Sequence, residues 1–147
     1  MFTARPILVI EDDAALREAL MEYLEETGDF LPFGAGTLAE AGTLLDSAPL
    51  RFDSIILDVH LPDGDGVGFC MRLRDQGHNM PVIMLTGSAT AADVVRGLGA
   101  GATEYLAKPF RASDLIARLQ PVGLADDKGD ALGLVYRKVP NANECVA

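Results

Sequence analysis

Two hydrophobic periods alternate along the chain. Compact, mostly apolar runs stand at Ile7-Leu8-Val9-Ile10, Ser54-Ile55-Ile56-Leu57 and Pro81-Val82-Ile83-Met84-Leu85, with a shorter one at Thr103-Glu104-Tyr105-Leu106. Such short runs without polar alternation predict strands buried on both faces. Between them, apolar residues recur at helical spacing. Leu16, Leu20, Tyr23 and Leu24 form one such face, with Arg17, Glu18, Glu22 and Glu25 turned outward. Leu38, Ala41, Leu44 and Leu45 form a second, and helices are predicted from about Val67 to Arg74 and around Ala91 to Leu98. A last one carries Leu115, Ile116 and Leu119. Phe30-Leu31-Pro32-Phe33 reads as a weak strand, placed at a sheet edge because its proline cannot donate to a ladder.

The punctuation agrees with this division. Gly28 ends the first helix. Thr37 caps the second, with Glu40 as the third residue of a capping box. Leu61-Pro62-Asp63-Gly64-Asp65-Gly66 is turn chemistry, and Asp63 and Asp65 read as loop residues. Ser113 is expected to cap the last helix. The chain therefore reads βα five times, which predicts an α/β fold with a parallel sheet and helices on both faces. Residues 121–147 fall outside the pattern. Asp126-Asp127-Lys128-Gly129-Asp130 resembles a solvated linker, and Leu132 to Val139 suffices for one short element. Residues 1–120 are thus expected to form one domain, and 121–147 a tail or the start of an effector region.

Composition narrows the function classes. At 147 residues, 49% apolar and 23% charged, the chain suits one globular domain rather than disorder. Its net charge of −10 repels phosphate backbones, so no direct nucleic-acid binding is expected. Cys70 and Cys145 form no metal-ligand pair, and Cys70 reads as helix packing. The first apolar segment meets Glu11 too soon for a signal sequence, and no run is long enough to span a bilayer. These features predict a reduced, cytoplasmic protein without a membrane partner.

In open α/β sheets, ligands bind beyond the carboxyl ends of the strands. Glu11, Asp12 and Asp13 follow the first strand, Asp58 the third, Thr86 the fourth and Lys108 the fifth. Each has an ordinary alternative. Asp12 or Asp13 could be a helix cap, Asp58 an Asx-turn residue, Thr86 a cap, and Lys108 a snorkelling surface lysine. Their convergence on one edge favours a site. Carboxylates of Glu11, Asp12 and Asp58 brought together need a hard cation such as Mg²⁺. Lys108 and Thr86 would add a fixed charge and a hydroxyl donor. That set clamps a phosphoryl group, and one carboxylate could itself be the acceptor. His60, two residues beyond Asp58, borders the site.

The ordered segments Ile7-Leu8-Val9-Ile10-Glu11-Asp12-Asp13, Ile56-Leu57-Asp58 through Gly66, Pro81 through Gly87, and Glu104-Tyr105-Leu106-Ala107-Lys108-Pro109-Phe110 resemble the response regulator receiver domain of bacterial two-component signalling. The resemblance runs from about Pro6 to Leu119. It implies a flavodoxin-like (βα)5 doubly wound sheet of strand order 2-1-3-4-5. It makes Asp58 the phosphoacceptor, and Glu11, Asp12, Asp58 and the backbone carbonyl of His60 the ligands of Mg²⁺ or Mn²⁺. Asp13 becomes a helix-start residue. Thr86 and Lys108 bind phosphoryl oxygens, Thr86 and Tyr105 form the switch, and Lys108-Pro109 is cis. Gly87 leaves room for the phosphodonor. The implied partners are a sensor histidine kinase or histidine phosphotransfer protein, a downstream effector, and a second copy in a phosphorylation-dependent homodimer. The implied function is a phosphorylation-switched module whose last two helices and last strand, around Val94, Tyr105 and Leu115, report the phosphate state. It is not an enzyme beyond its own phosphorylation and dephosphorylation.

The chain also departs from the family. The last helix breaks at Gln120-Pro121, and only Asp114 and Arg118 resemble the charged dimer face of winged-helix regulators. Gly97, Gly99 and Gly101 weaken the fourth helix. Other readings remain: the receiver half of a larger transcriptional regulator, a Mg²⁺-dependent aspartyl-phosphate phosphatase, and an inactive pseudo-receiver or flavodoxin-like binding module. The phosphatase type wants a second Asp where His60 stands, plus room for a cap domain. No glycine-rich phosphate loop supports nucleotide or flavin binding.

Overall fold

The structure, a computed structural model, describes residues 4–47, 51–87 and 91–119. The expectations for residues 121–147, for the break at Gln120-Pro121 and for Ser88 lie outside the described residues. Five βα units follow one another: β1 Arg5–Ile10, α1 Ala14–Thr27, β2 Phe30–Ala35, α2 Leu38–Asp46, β3 Ser54–Asp58, α3 Gly66–Asp75, β4 Val82–Thr86, α4 Ala91–Gly99, β5 Glu104–Ala107 and α5 Ala112–Leu119. Every pairing in the five-stranded sheet is parallel, in the order β2-β1-β3-β4-β5. This is the flavodoxin-like order, with the proline-bearing strand at an edge. A two-rung ribbon, His60–Leu61 against Gly64–Asp65, fills the connection from β3 to α3.

The apolar runs give the sheet two core faces because side chains alternate across it. Leu8, Ile10, Ile55, Leu57, Val82 and Met84 pack on one side with Ala41 of α2 and Val67, Cys70 and Leu73 of α3. Ile7, Val9, Ile56, Ile83, Leu85 and Leu106 pack on the other with Leu20 and Leu24 of α1 and Leu115 and Leu119 of α5. Each Val, Leu, Ile or Met among them contributes about 1.5–3 kcal/mol on removal from water.

The helix ends follow the local chemistry with two exceptions. Asp13 caps α1 by accepting from Leu16 N, and Gly28 ends it at φ 82°. Thr37 Oγ accepts from Glu40 N at 3.1 Å, but Glu40 reaches back to Gly36 N at 2.7 Å, one residue beyond a standard capping box. Ser113 does not cap the last helix. It lies inside α5, where the Arg111 carbonyl accepts from Asp114 N and Leu115 N instead.

Candidate functional site

Register builds the site. Ile10 lies beside Leu57, so the next residue along, Glu11, stands next to Asp58. Asp58 lies beside Leu85, and Thr86 beside Ala107, which brings Thr86 and then Lys108 to the same edge. Four strands thus deliver Glu11, Asp58, Thr86 and Lys108 together. Glu11, Asp58 and Thr86 are buried, while Asp12 is exposed on the first loop.

Glu11, Asp12 and Asp58 each place one carboxylate oxygen within 4.8 Å of the others. Lys108 Nζ lies 3.0 Å from Glu11 Oε1 and 3.7 Å from Asp58 Oδ2. One ammonium against three carboxylates leaves the cluster short of positive charge. Oxygen donors alone, grouped this tightly, suit a hard divalent cation. The site can therefore bind a metal. Glu11 registers the strain: its carboxyl is pushed up to about 7, chiefly by burial and further by the charge of Asp58, against the pull of the Lys108 ammonium and the Asp13 N–H.

The backbone around Asp58 is closely fitted. Gly66 N donates to Val59 O at 2.7 Å, and Val59 N donates to Leu85 O at 3.1 Å. A Cβ at residue 66 would lie 2.4 Å from the Asp58 carbonyl oxygen, so glycine is required where α3 begins. The Lys108-Pro109 peptide is cis, as expected. Gly87 is exposed, with open space where a side chain would stand. The Tyr105 ring is half-buried and occupies the place of a side chain on α4: a Cβ at residue 97 would lie 2.7 Å from Tyr105 Cε2. Gly97 thus has a packing role, besides weakening the helix.

Four features escaped the sequence reading. Arg17, expected to face outward, folds back so that its Nη1 donates to the Glu11 carbonyl at 2.7 Å. Gly34 and Gly36 leave the space its side chain crosses. Asp63 does more than turn the chain: its Oδ1 accepts from Leu38 N at 2.8 Å and its Oδ2 from Ala39 N at 3.0 Å. These bonds, that from Leu38 first, hold its carboxyl below the ordinary range. Asp65 caps α3 through Val67 N at 3.0 Å and pairs with Arg96 of α4 at 2.9 Å. Arg118, read as part of a dimer face, is instead buried beside Glu104, with Nε 3.3 Å from Oε1. Polar contacts of this kind, made across elements or back onto a loop, leave no signal in the hydrophobic pattern; only the helix-start chemistry of an Asp before a glycine hinted at Asp65.

Comparison with known proteins agrees with this geometry. A family model described as the response regulator receiver domain matches residues 7–120. The chain is 40% identical over 114 residues to the transcriptional regulatory protein PmrA of Pectobacterium parmentieri, covering 78% of this chain and 50% of the relative. It is 35% identical to the response regulator MprA of a Mycobacterium species, covering 78% and 48%. The chain thus spans about half the length of the curated relatives it matches. Among solved structures, a Francisella response regulator receiver domain is similar at TM-score 0.73 and 31% identity, covering 78% of this chain and 93% of that one. The beryllofluoride-activated NtrC4 receiver domain dimer is similar at TM-score 0.71 and 34% identity, covering 78% and 92%.

Proposed function

This chain belongs to the response regulator receiver family of two-component signalling, and from that premise we propose that Asp58 accepts a phosphoryl group and thereby switches the surface of α4, β5 and α5. The observation that carries the reading is the cluster itself: three carboxylates within 4.8 Å with Lys108 Nζ 3.0 Å from Glu11 and 3.7 Å from Asp58.

The chemistry assigned to the chain is a single displacement. A carboxylate oxygen of Asp58 attacks phosphorus, the bond from phosphorus to the donor's leaving atom breaks, and a new P–O bond forms on Asp58. Hydrolysis reverses the loading: a water oxygen attacks phosphorus, the P–O bond to Asp58 breaks, and inorganic phosphate leaves. Mg²⁺ or Mn²⁺, held when bound by Glu11, Asp12, Asp58 and the His60 carbonyl, supplies charge that offsets the phosphoryl oxygens. Lys108 leaves Glu11 for a phosphoryl oxygen, and the Thr86 hydroxyl donates to another. The group adds roughly 1.5–2 negative charges, which is what draws both side chains to it. Tyr105, seated against Gly97, follows Thr86 inward and repacks α4 against β5. A partner that binds one arrangement more tightly then reads the phosphate state. No turnover of an external substrate is assigned beyond this self-phosphorylation and dephosphorylation.

The proposed phosphodonor is a sensor histidine kinase or a histidine phosphotransfer protein in the cytoplasm. Supporting a donor on this side, an apolar hollow of about 330 Å³ lined by Leu16, Leu20, Tyr23, Pro109 and Phe110 opens beside Lys108. Among the described residues no helix is long and apolar enough to cross a membrane. Coverage of half the length of its relatives supports a second reading, the receiver half of a larger regulator whose effector contacts DNA. A phosphorylation-dependent homodimer is proposed on the same footing, since the activated NtrC4 relative is a dimer.

Intact-mass spectrometry after incubation with acetyl phosphate and Mg²⁺ tests the core of this. The wild type should gain one phosphoryl mass, and Asp58→Asn or added chelator should abolish the gain. Folded wild type that neither gains mass nor binds a non-hydrolysing phosphoryl mimic is a pseudo-receiver.

A further inference from the structure

The ribbon between β3 and α3 is a short lever with the expected metal-ligating carbonyl in its middle. Its base is closed by Gly66 N on Val59 O at 2.7 Å. Its rungs pair His60 with Asp65 and Leu61 with Gly64. Its tip carries Asp63, whose two oxygens take Leu38 N at 2.8 Å and Ala39 N at 3.0 Å, from an element some 25 residues earlier in the chain. Gly64 adds a close approach, since a Cβ there would lie 2.8 Å from Leu38 Cδ1. The start of α2 already has its own cap in Thr37, which takes Glu40 N. The Asp63 bonds thus reach across the fold as well as satisfying a helix end.

The ribbon is also held along its sides, by Leu61 against the core and by the exposed pair of Asp65 with Arg96 at 2.9 Å, and Asp63 supplies the tie at its tip. We infer that Asp63 is a positioning residue for the metal site, pinning the ribbon to α2 and so restricting where the His60 carbonyl can meet a cation bound by Glu11, Asp12 and Asp58. The inference rests on the reading of that site given above. It predicts a specific division of labour: Asp63 sets the affinity for the metal and leaves the phosphoryl step untouched once the metal is saturating.

The test is calorimetric titration with Mg²⁺ of the full chain, run well below each protein's melting temperature, on wild type, Asp63→Ala, Asp63→Asn, Thr37→Ala and Asp12→Asn. Phosphorylation by acetyl phosphate is followed in parallel as a function of Mg²⁺. Asp63→Ala should weaken Mg²⁺ binding roughly tenfold, the scale seen when a residue orienting a ligand is lost. Its phosphorylation rate extrapolated to saturating Mg²⁺ should match wild type. Asp63→Asn, which keeps one acceptor oxygen, should fall between the two. Thr37→Ala weakens the same helix start without touching the ribbon, and should leave Mg²⁺ affinity within about twofold of wild type. Unchanged affinity in Asp63→Ala, or an equal loss in Thr37→Ala, overturns the positioning role. Wild type that binds no Mg²⁺, indistinguishable from Asp12→Asn, overturns the site reading and this inference with it.

Discussion

The two ends of the sheet spend their polar groups in opposite ways. At the amino end, Arg74 of α3 donates Nε and Nη2 to the Gly101 carbonyl at 3.0 and 2.8 Å and Nη1 to the carbonyls of His78 and Met80 at 3.0 and 2.8 Å. Arg5 bonds Asp53 and the Leu119 carbonyl, and stacks over Phe30 with 4.6 Å to the ring centroid. Cations there meet carbonyls or single acids, and the loops are fastened. At the carboxyl end Arg17 also takes a carbonyl, that of Glu11, but of the three clustered carboxylates Lys108 reaches two, Glu11 and Asp58. Stability is invested away from the chemistry, and the reactive edge keeps an unbalanced charge that a cation and a phosphoryl group can answer. Functional edges commonly carry such strain, compensated by the rest of the fold.

The largest expected effect lies at the carboxyl end. Asp58→Asn should lose phosphorylation completely by intact mass, while the metal-free protein melts higher, because one of the crowded charges is gone. A variant that melts lower would place the stability of the molecule at that edge and break the contrast.

At the other end, Arg74→Ala should cost about 3 kcal/mol in denaturant unfolding, since it orphans several carbonyls that accept from a charged donor. Its phosphorylation rate, measured where both proteins are folded, should stay near wild type.

The charge imbalance also has a pH signature. Glu11 is held at about 7 against an ordinary 4.5, so between those values the folded chain keeps a proton that the unfolded chain releases. Its contribution to stability is full below 4.5 and is lost as pH rises through about 7. Thermal melts of the metal-free protein should show this fall, and Glu11→Gln should flatten it. Protons compete with the metal at the same cluster, so Mg²⁺ binding should weaken by up to about tenfold per pH unit on the acid side of the Glu11 titration.

The smallest effect concerns the switch surface. Gly97→Ala gains about 1 kcal/mol of helix propensity but drives a methyl into the Tyr105 ring, costing about 1–3 kcal/mol. A net change near 1 kcal/mol is expected, with a displaced Tyr105 seen in ring-proton NMR shifts and a changed response to phosphorylation. An unperturbed ring would show that Gly97 serves the flexibility of α4 alone.

Periodicity and position made most of this molecule legible before any coordinates. The buried runs marked four strands, the proline-bearing segment added a fifth, β2, at an edge, and the convergence of Glu11, Asp12, Asp58, Thr86 and Lys108 on one edge followed from strand ends alone, because in a parallel sheet every strand delivers its next residue to the same side. The strand order and the cis peptide came from family resemblance, and the structure agrees with both. What stayed hidden were contacts of polar side chains between elements: Asp63 on the start of α2, Arg17 on the Glu11 carbonyl six residues back, Arg74 across two loops, and Arg118 against Glu104. Each uses a side chain that reads equally well as solvated surface. Apolar period is a property of the chain and survives in one dimension. The partner of a charged group is chosen by which carbonyls and amides the packed core brings within 3 Å or so, and only folding decides that.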